Sequence, residues 1–94
     1  MDEIKFEWDE RKNSINKAKH HISFEEAESV FYDDRAIVFD DPDHSDEEDR
    51  FLIIGITSSL KICTVCHCYR ENDSVIRIIS ARKATKKEAR VYER

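Results

Sequence analysis

From Arg50 to Arg82 the chain carries three β-rich segments in succession, and no other feature restricts its fold as much. Arg50–Thr57, Leu60–Arg70 and Val75–Arg82 are separated only by Ser58-Ser59 and by Glu71-Asn72-Asp73-Ser74, gaps that fit two hairpin turns. Consecutive antiparallel strands are therefore expected. Upstream, Ile4 to Trp8 alternates apolar and charged residues as a short strand does. Asp9 can cap a helix running to about His20, with Ile15 and Ala18 inward. Ser23-Phe24-Glu25-Glu26 reads as a capping box, behind which Phe24, Ala27, Val30 and Phe31 fall on one helical face. Arg35 to Asp40 encloses a further short strand, and Asp40 to Asp49 is an acidic loop or helical turn. Thr85-Lys86-Lys87-Glu88, a second capping box, opens a short C-terminal helix with Val91 and Tyr92 inward. This order predicts an α+β fold: a mostly antiparallel sheet, two N-terminal helices and a short C-terminal helix, packed on one face.

A chain of 94 residues leaves room for one domain, residues 1–94, with one core. One glycine and one proline mean short connections whose turns are hard to locate. The longest apolar run, Phe51 to Ile56, is far too short to span a bilayer, so no membrane partner is expected. Met1-Asp2-Glu3-Ile4-Lys5 lacks a basic segment followed by an apolar one, so no secretory signal is expected. Three cysteines, all between Cys63 and Cys68, do not make a disulfide framework, which fits a reducing cytoplasm.

A net charge of −5 argues against a nucleic-acid partner until the chain is divided. Residues 1–24 hold five acids and five bases, residues 25–49 twelve acids and one base, and residues 50–94 ten bases and four acids. An acidic middle beside a basic second half predicts two faces, one for an anion and one for a basic partner. Solvated charge that merely clusters is the alternative.

Cys63-Thr64-Val65-Cys66-His67 matches the c-type haem attachment pattern, and with Cys68 it invites a zinc reading. Strand parity opposes both. Cys66 and Cys68 share one face and Cys63 and His67 the other, so no cofactor or metal is expected and the thiols act as small apolar residues. His20-His21 follows Lys17 and Lys19 at a helix end, where cations complement the dipole; anion binding is the second reading.

Arg70, Arg77, Arg82 and Lys83 sit near strand ends and can grip phosphate oxygens. Strict alternation puts Ser80 and Arg82 on one face with Ile76 and Ile78, and Arg77 on the other. Hairpin register sets Arg70 nearer Val75 than Arg82. By themselves these residues define a basic sheet surface.

Phe6-x-Trp8-Asp9-x-x-Lys12-x-x-x-Asn16-x-x-Lys19-His20, followed by Ile22-Ser23-Phe24-Glu25-Glu26-Ala27-x-x-Val30-Phe31, resembles the opening of the BrnT toxins. His44-Ser45, Glu48-x-Arg50-Phe51, Ile54-Gly55, Arg70 and Ile76-Arg77-Ile78-Ile79-Ser80-Ala81-Arg82-Lys83-Ala84-Thr85 extend the resemblance over nearly the whole chain. His21 stands where the family usually has Gly, Asp34 where Pro is common, and Leu60-Lys61 where Gly-Arg is frequent; these departures touch turns and caps.

The resemblance implies a RelE-like fold and the toxin half of a bacterial type II toxin–antitoxin pair. It implies a ribonuclease that arrests translation, and a BrnA-like, DNA-binding antitoxin that forms a hetero-oligomer with it and can dimerise it. Metal-independent cleavage by the substrate's own 2′-OH needs a base, cations for the charged transition state and an acid. Arg82, Lys83, Arg70 and Arg77 are the candidate cations, Glu48 or His67 the candidate base. Tyr92 is a candidate to stack a base or donate a proton, and Lys19 to contact a phosphate. The rival reading is a non-catalytic module whose basic sheet docks an acidic partner or nucleic acid. Growth arrest by the chain alone, relieved by a genetic neighbour, separates the two.

Overall fold

The computed structural model describes residues 4–41 and 49–94. Strand β1 (Lys5–Glu7) leads into helix α1 (Glu10–His20) and helix α2 (Phe24–Glu28), which tightens into a 3-10 turn over Ser29–Tyr32. Strands β2 (Ile37–Asp40), β3 (Phe51–Ile56), β4 (Ile62–Arg70) and β5 (Val75–Lys83) follow, and helix α3 (Lys86–Glu93) closes the described chain. The sheet order is β1-β5-β4-β3-β2, antiparallel except for the β1–β5 pair. Both expected hairpins form. Among the described residues no helix is long and apolar enough to cross a membrane.

One sheet face packs under α1 and α2, where Phe24, Ala27 and Val30 meet Ile53, Val65, Ile78 and Ala81. The expectation that all helices share that face is corrected. Glu88 of α3 bonds Thr64 and Arg82, cross-strand neighbours whose parity is opposite to that of the buried Val65–Ala81 pair. Helix α3 thus serves the second face.

A bulge decides which arginines belong together. Cys66 pairs with Ser80 but His67 pairs with Ile78, so Ile79 is an extra residue in β5. An extra residue reverses the inside–outside parity beyond it. Arg77, paired with Cys68, and Arg82, paired with Thr64, therefore share the second face with Ser80. Ile76 and Ile78 lie on the opposite, helix-covered side, and strict alternation misassigned them.

Helix α1 also departs from expectation. Ile15 is 60% exposed and Ala18 exposed, while Asn13 and Asn16 are the residues buried. The reason lies in β5: β1 pairs only as far as Arg77, and beyond it no strand among the described residues covers the outer edge of β5. Asn16 supplies the missing ladder. Its Nδ2 donates to the Ala81 carbonyl at 2.8 Å and to the Ile22 carbonyl at 2.9 Å, and its Oδ1 accepts from the Ala81 N–H at 3.1 Å. Asn13 Oδ1 accepts from the Phe24 N–H at 2.8 Å, joining α1 to α2. A buried amide edge needs such partners, so polar side chains take the place of an apolar stripe.

Asp9 caps α1 through the Arg11 and Lys12 N–H groups. Ser23 caps α2 through the Glu26 N–H, but Glu26 accepts from the Thr57 hydroxyl at 2.9 Å, so the reciprocal half of that box is replaced by a tertiary contact. The Thr85–Glu88 box is complete. Val91 is exposed, against expectation.

Gly55 is needed for close approach rather than for a turn. A Cβ there would lie 2.8 Å from Val30 Cγ1 and 3.1 Å from Ala36 Cβ. With the one glycine so used, left-handed turn conformations fall to His21 (φ 61°), Leu60 (φ 64°), Glu71 (φ 50°), Asn72 (φ 56°) and Asp73 (φ 67°).

Candidate active site

Arg82, Arg77 and Arg70 occur along the second face, and the first two are each held by a carboxylate. Arg82 grips Glu88 with both terminal nitrogens, Nη1 to Oε1 at 2.6 Å and Nη2 to Oε2 at 3.0 Å. Glu88 Oε1 also accepts from the Thr64 hydroxyl at 3.0 Å and the Thr85 N–H at 2.9 Å. The Arg82 fork, opposed by burial and aided by the Thr85 and Thr64 donors, holds the Glu88 carboxyl down at about 2. The same bond raises the Arg82 guanidinium further. Arg82 remains 39% exposed at its side chain, so its charge is fixed in place and still reachable. Arg77 Nη1 donates to Glu7 Oε2 at 2.7 Å across the β1–β5 pair. Arg70 is exposed at the end of β4 opposite Val75, as its hairpin register predicts.

The other candidates lie elsewhere. Lys83 pairs with the core residue Cys63, so it points to the face opposite Arg82 despite following it in sequence. Lys19 is exposed on α1, beside Ser80 and Ile79. Glu48, like His44 and Ser45, lies outside the described residues.

His67 is not on the arginine face. It is 0% exposed, with its ring centroid 4.8 Å from that of Phe31, 5.4 Å from Tyr69 and 6.0 Å from Phe51. Nδ1 lies 3.3 Å from the Val65 carbonyl, and among the described residues Nε2 has no hydrogen-bond partner. Burial pushes its pKa down, against the opposing Val65 contact. A neutral imidazole closed off by aromatic rings cannot meet a 2′-OH, so the expectation of a base here is corrected: the ring is core.

Tyr92 is likewise committed. Its hydroxyl donates to Asp33 Oδ2 at 2.6 Å, and that bond pushes the phenol up, away from use as an acid. Burial alone would raise Asp33, but donors from Tyr92, Ile56 and Arg35 outweigh it and hold the carboxyl below its ordinary value. The contact ties α3 to the segment before β2.

Cys63 faces the helix-covered core, whereas Cys66 and Cys68 pair with Ser80 and Arg77 on the second face. These thiols cannot converge on one ion. Burial pushes Cys63 and Cys66 each up to about 11, so both stay protonated thiols in the metal-free chain.

Sequence reasoning missed Glu88 and Asn16 as site-forming residues. Glu88 was visible only as a helix cap, and Asn16 only as part of the family pattern.

Residues 8–88 match the family described as ribonuclease toxin, BrnT, of type II toxin–antitoxin system. Among solved structures, the chain is similar to the Brucella abortus ribonuclease toxin BrnT, with 30% identity and a TM-score of 0.67, over 88% of this chain and 99% of that one. A search of the curated proteins gives no match.

Proposed function

Because the chain belongs to the BrnT family of ribonuclease toxins of type II toxin–antitoxin systems, we propose that it cuts RNA without a metal, on the arginine face of its sheet. The observation that carries this reading is the bulge at Ile79, through which Arg77, Ser80 and Arg82 come to share a face with Arg70 nearby. In the proposed reaction a 2′-OH loses its proton and its oxygen attacks the adjacent phosphorus. The P–O5′ bond breaks, leaving a 2′,3′-cyclic phosphate and a 5′-oxygen that takes a proton. The phosphorane carries an extra negative charge, and a fixed guanidinium stabilises it more than the ground state.

Arg82 is the principal cation, already oriented by Glu88, and an incoming phosphate exchanges with that carboxylate on the same fork. Glu88 is a positioning residue, since its low pKa leaves it no role as a base. Glu48 stays the proposed base, Arg70 and Arg77 steady flanking phosphates, and Lys83 and Lys19 add charge along the path. The whole of residues 1–94 acts as one domain in the cytoplasm. Its antitoxin is a BrnA-like DNA-binding protein that forms a hetero-oligomer with it.

Induction of the chain alone arrests growth, coexpression of its antitoxin relieves the arrest, and purified protein cleaves RNA in EDTA. Arg82→Ala lowers the cleavage rate about a hundredfold, ~3 kcal/mol, by analogy with loss of an oxyanion donor. Arg82→Lys, which keeps charge but not the fork, should fall between. Full toxicity in folded Arg82→Ala, or cleavage that EDTA stops, would sink the reading. Harmless expression of folded protein favours the docking module instead.

A further inference from the structure

At the end of the sheet, four elements enclose a groove of about 550 Å3: the C-terminus of α1, the β3–β4 turn, the end of β5 and α3. That size falls in the range of small-ligand clefts, roughly 300–1,000 Å3. Its apolar surface comes from Ile22, Leu60, Ile62, Ala84 and Ala89. Besides the Cys63 thiol, its polar side chains are all basic: His20, His21, Lys61 and Lys83. In a chain with 21 acids, no carboxylate is found among the described lining residues. Glu26 approaches the groove from outside, its Oε2 4.0 Å from Lys61 Nζ and already accepting from Thr57.

Two strained residues stand in this lining. Leu60 holds φ 64° while 79% exposed, and His21 holds φ 61° while exposed. Left-handed backbone costs a residue with a Cβ about 1–2 kcal/mol, and an exposed leucine recovers none of that by packing. The backbones serve the fold, since the Leu60 N–H closes the β3–β4 turn on the Thr57 carbonyl and the His21 N–H caps α1 on the Lys17 carbonyl, but neither use calls for a large apolar side chain left in water at Leu60. His20 also lines a more open groove of about 230 Å3 with Lys12, Lys19 and Ser80, the last of which is on the same sheet face as Arg82. His20 is the residue the two grooves share.

We propose that the larger groove seats an unpaired nucleotide of the RNA substrate, its base on the apolar floor beneath Leu60 and its phosphates among Lys61, Lys83, His20 and His21. The proposal rests on the ribonuclease reading above and extends it to a substrate-selecting subsite remote from the reacting phosphate. An apolar floor accepts the face of a base, and lysines track the backbone on either side. Leu60 here has a functional role that opposes stability.

The test is fluorescence anisotropy with a short 2′-O-methyl oligoribonucleotide, which binds but cannot be cut, alongside thermal melting. Leu60→Gly should melt higher than wild type and bind about tenfold more weakly, a combination that a merely structural role does not give. Ala89→Phe, which fills the groove from a helix, should weaken binding by a similar factor and raise KM for RNA more than it lowers kcat. Lys61→Ala should reduce the slope of log affinity against log salt by about 0.7, the loss of one phosphate contact on a single strand. Wild-type binding by folded Leu60→Gly and Ala89→Phe overturns the subsite, even if Arg82→Ala is inactive and the ribonuclease reading stands. Unchanged RNA binding with lost antitoxin neutralisation also overturns it, assigning the groove to the antitoxin. A fully active Arg82→Ala would instead remove the reading beneath it, which the anisotropy of the groove variants does not measure.

Discussion

The two faces of one sheet are built for different solvents. Beneath α1 and α2, His67 is buried among Phe31, Phe51 and Tyr69, and its Nε2 has no hydrogen-bond partner among the described residues. On the opposite face charge is kept and organised, with Arg82 clasped by Glu88 and Arg77 by Glu7. A histidine, the side chain most suited to acid–base work at neutral pH, is packing material here. Arginines that alternation would separate are instead gathered by one extra residue. The contrast teaches that residue type alone does not assign a role in this chain; the face does.

The boundary between the faces is the outer edge of β5, and breaking it has the largest expected effect. Asn16→Ala leaves the Ala81 N–H and the Ala81 and Ile22 carbonyls at a buried edge without their partner. The cost is about 3 kcal/mol, read as a lowered midpoint in urea unfolding. An unchanged midpoint would show that water or a shifted backbone replaces the amide.

The ionic face should titrate at low pH. Glu88 has a folded pKa of about 2 against an ordinary 4.5, so its contribution is whole above 4.5 and is lost as pH falls toward 2. Its side chain is 17% exposed but that of Arg82 39%, which reduces the expected contribution to about 2 kcal/mol. Glu88→Gln should be less stable at neutral pH and lack that acid limb. If wild type and Glu88→Gln lose stability in parallel from pH 4.5 to 2, the carboxylate is not held as described.

The dry face should titrate first. His67 has a depressed pKa in the folded chain, while the unfolded chain takes up a proton near the ordinary 6.5. Its contribution is therefore complete above pH 6.5 and declines as pH falls below it. His67→Phe should remove this earlier limb, leave the Glu88 limb, and cost little at neutral pH, because a ring of similar shape fills the aromatic cluster and Nε2 has no partner to lose among the described residues. Retention of the earlier limb in that variant would assign it to another group.

The smallest effect belongs to a turn. His21 adopts φ 61° at the C-cap of α1, where its N–H donates to the Lys17 carbonyl. His21→Gly keeps that bond and relieves the backbone, raising stability by ~1 kcal/mol in thermal melting. A lower melting temperature would mean the imidazole contributes more than its backbone strain costs.

Much of this molecule was legible before any coordinates. The three strands from Phe51 to Lys83, their two hairpins, the Asp9, Ser23 and Thr85 caps and the parity of the three cysteines all follow from short-range rules. Such rules work because a strand's neighbours two residues apart, or a cap's partner three residues on, are set by local backbone geometry. Where a residue's partner was distant in sequence, the reading failed: Ile15 and Ala18 turned outward because Asn13 and Asn16 had a strand edge and a neighbouring helix to satisfy.

The sequence by itself thus determined the order of elements, the hairpin pairing and the family, through periodicity, caps and a motif that runs nearly the length of the chain. Only the tertiary structure decided which charges share a face. A bulge at Ile79 has no local signature in a run of β-branched residues, since the extra residue is defined by what the partner strand omits. Arg77 and Arg82 share one face, Lys83 leaves it and His67 is buried because pairing between strands, not spacing within one, sets the faces of a sheet.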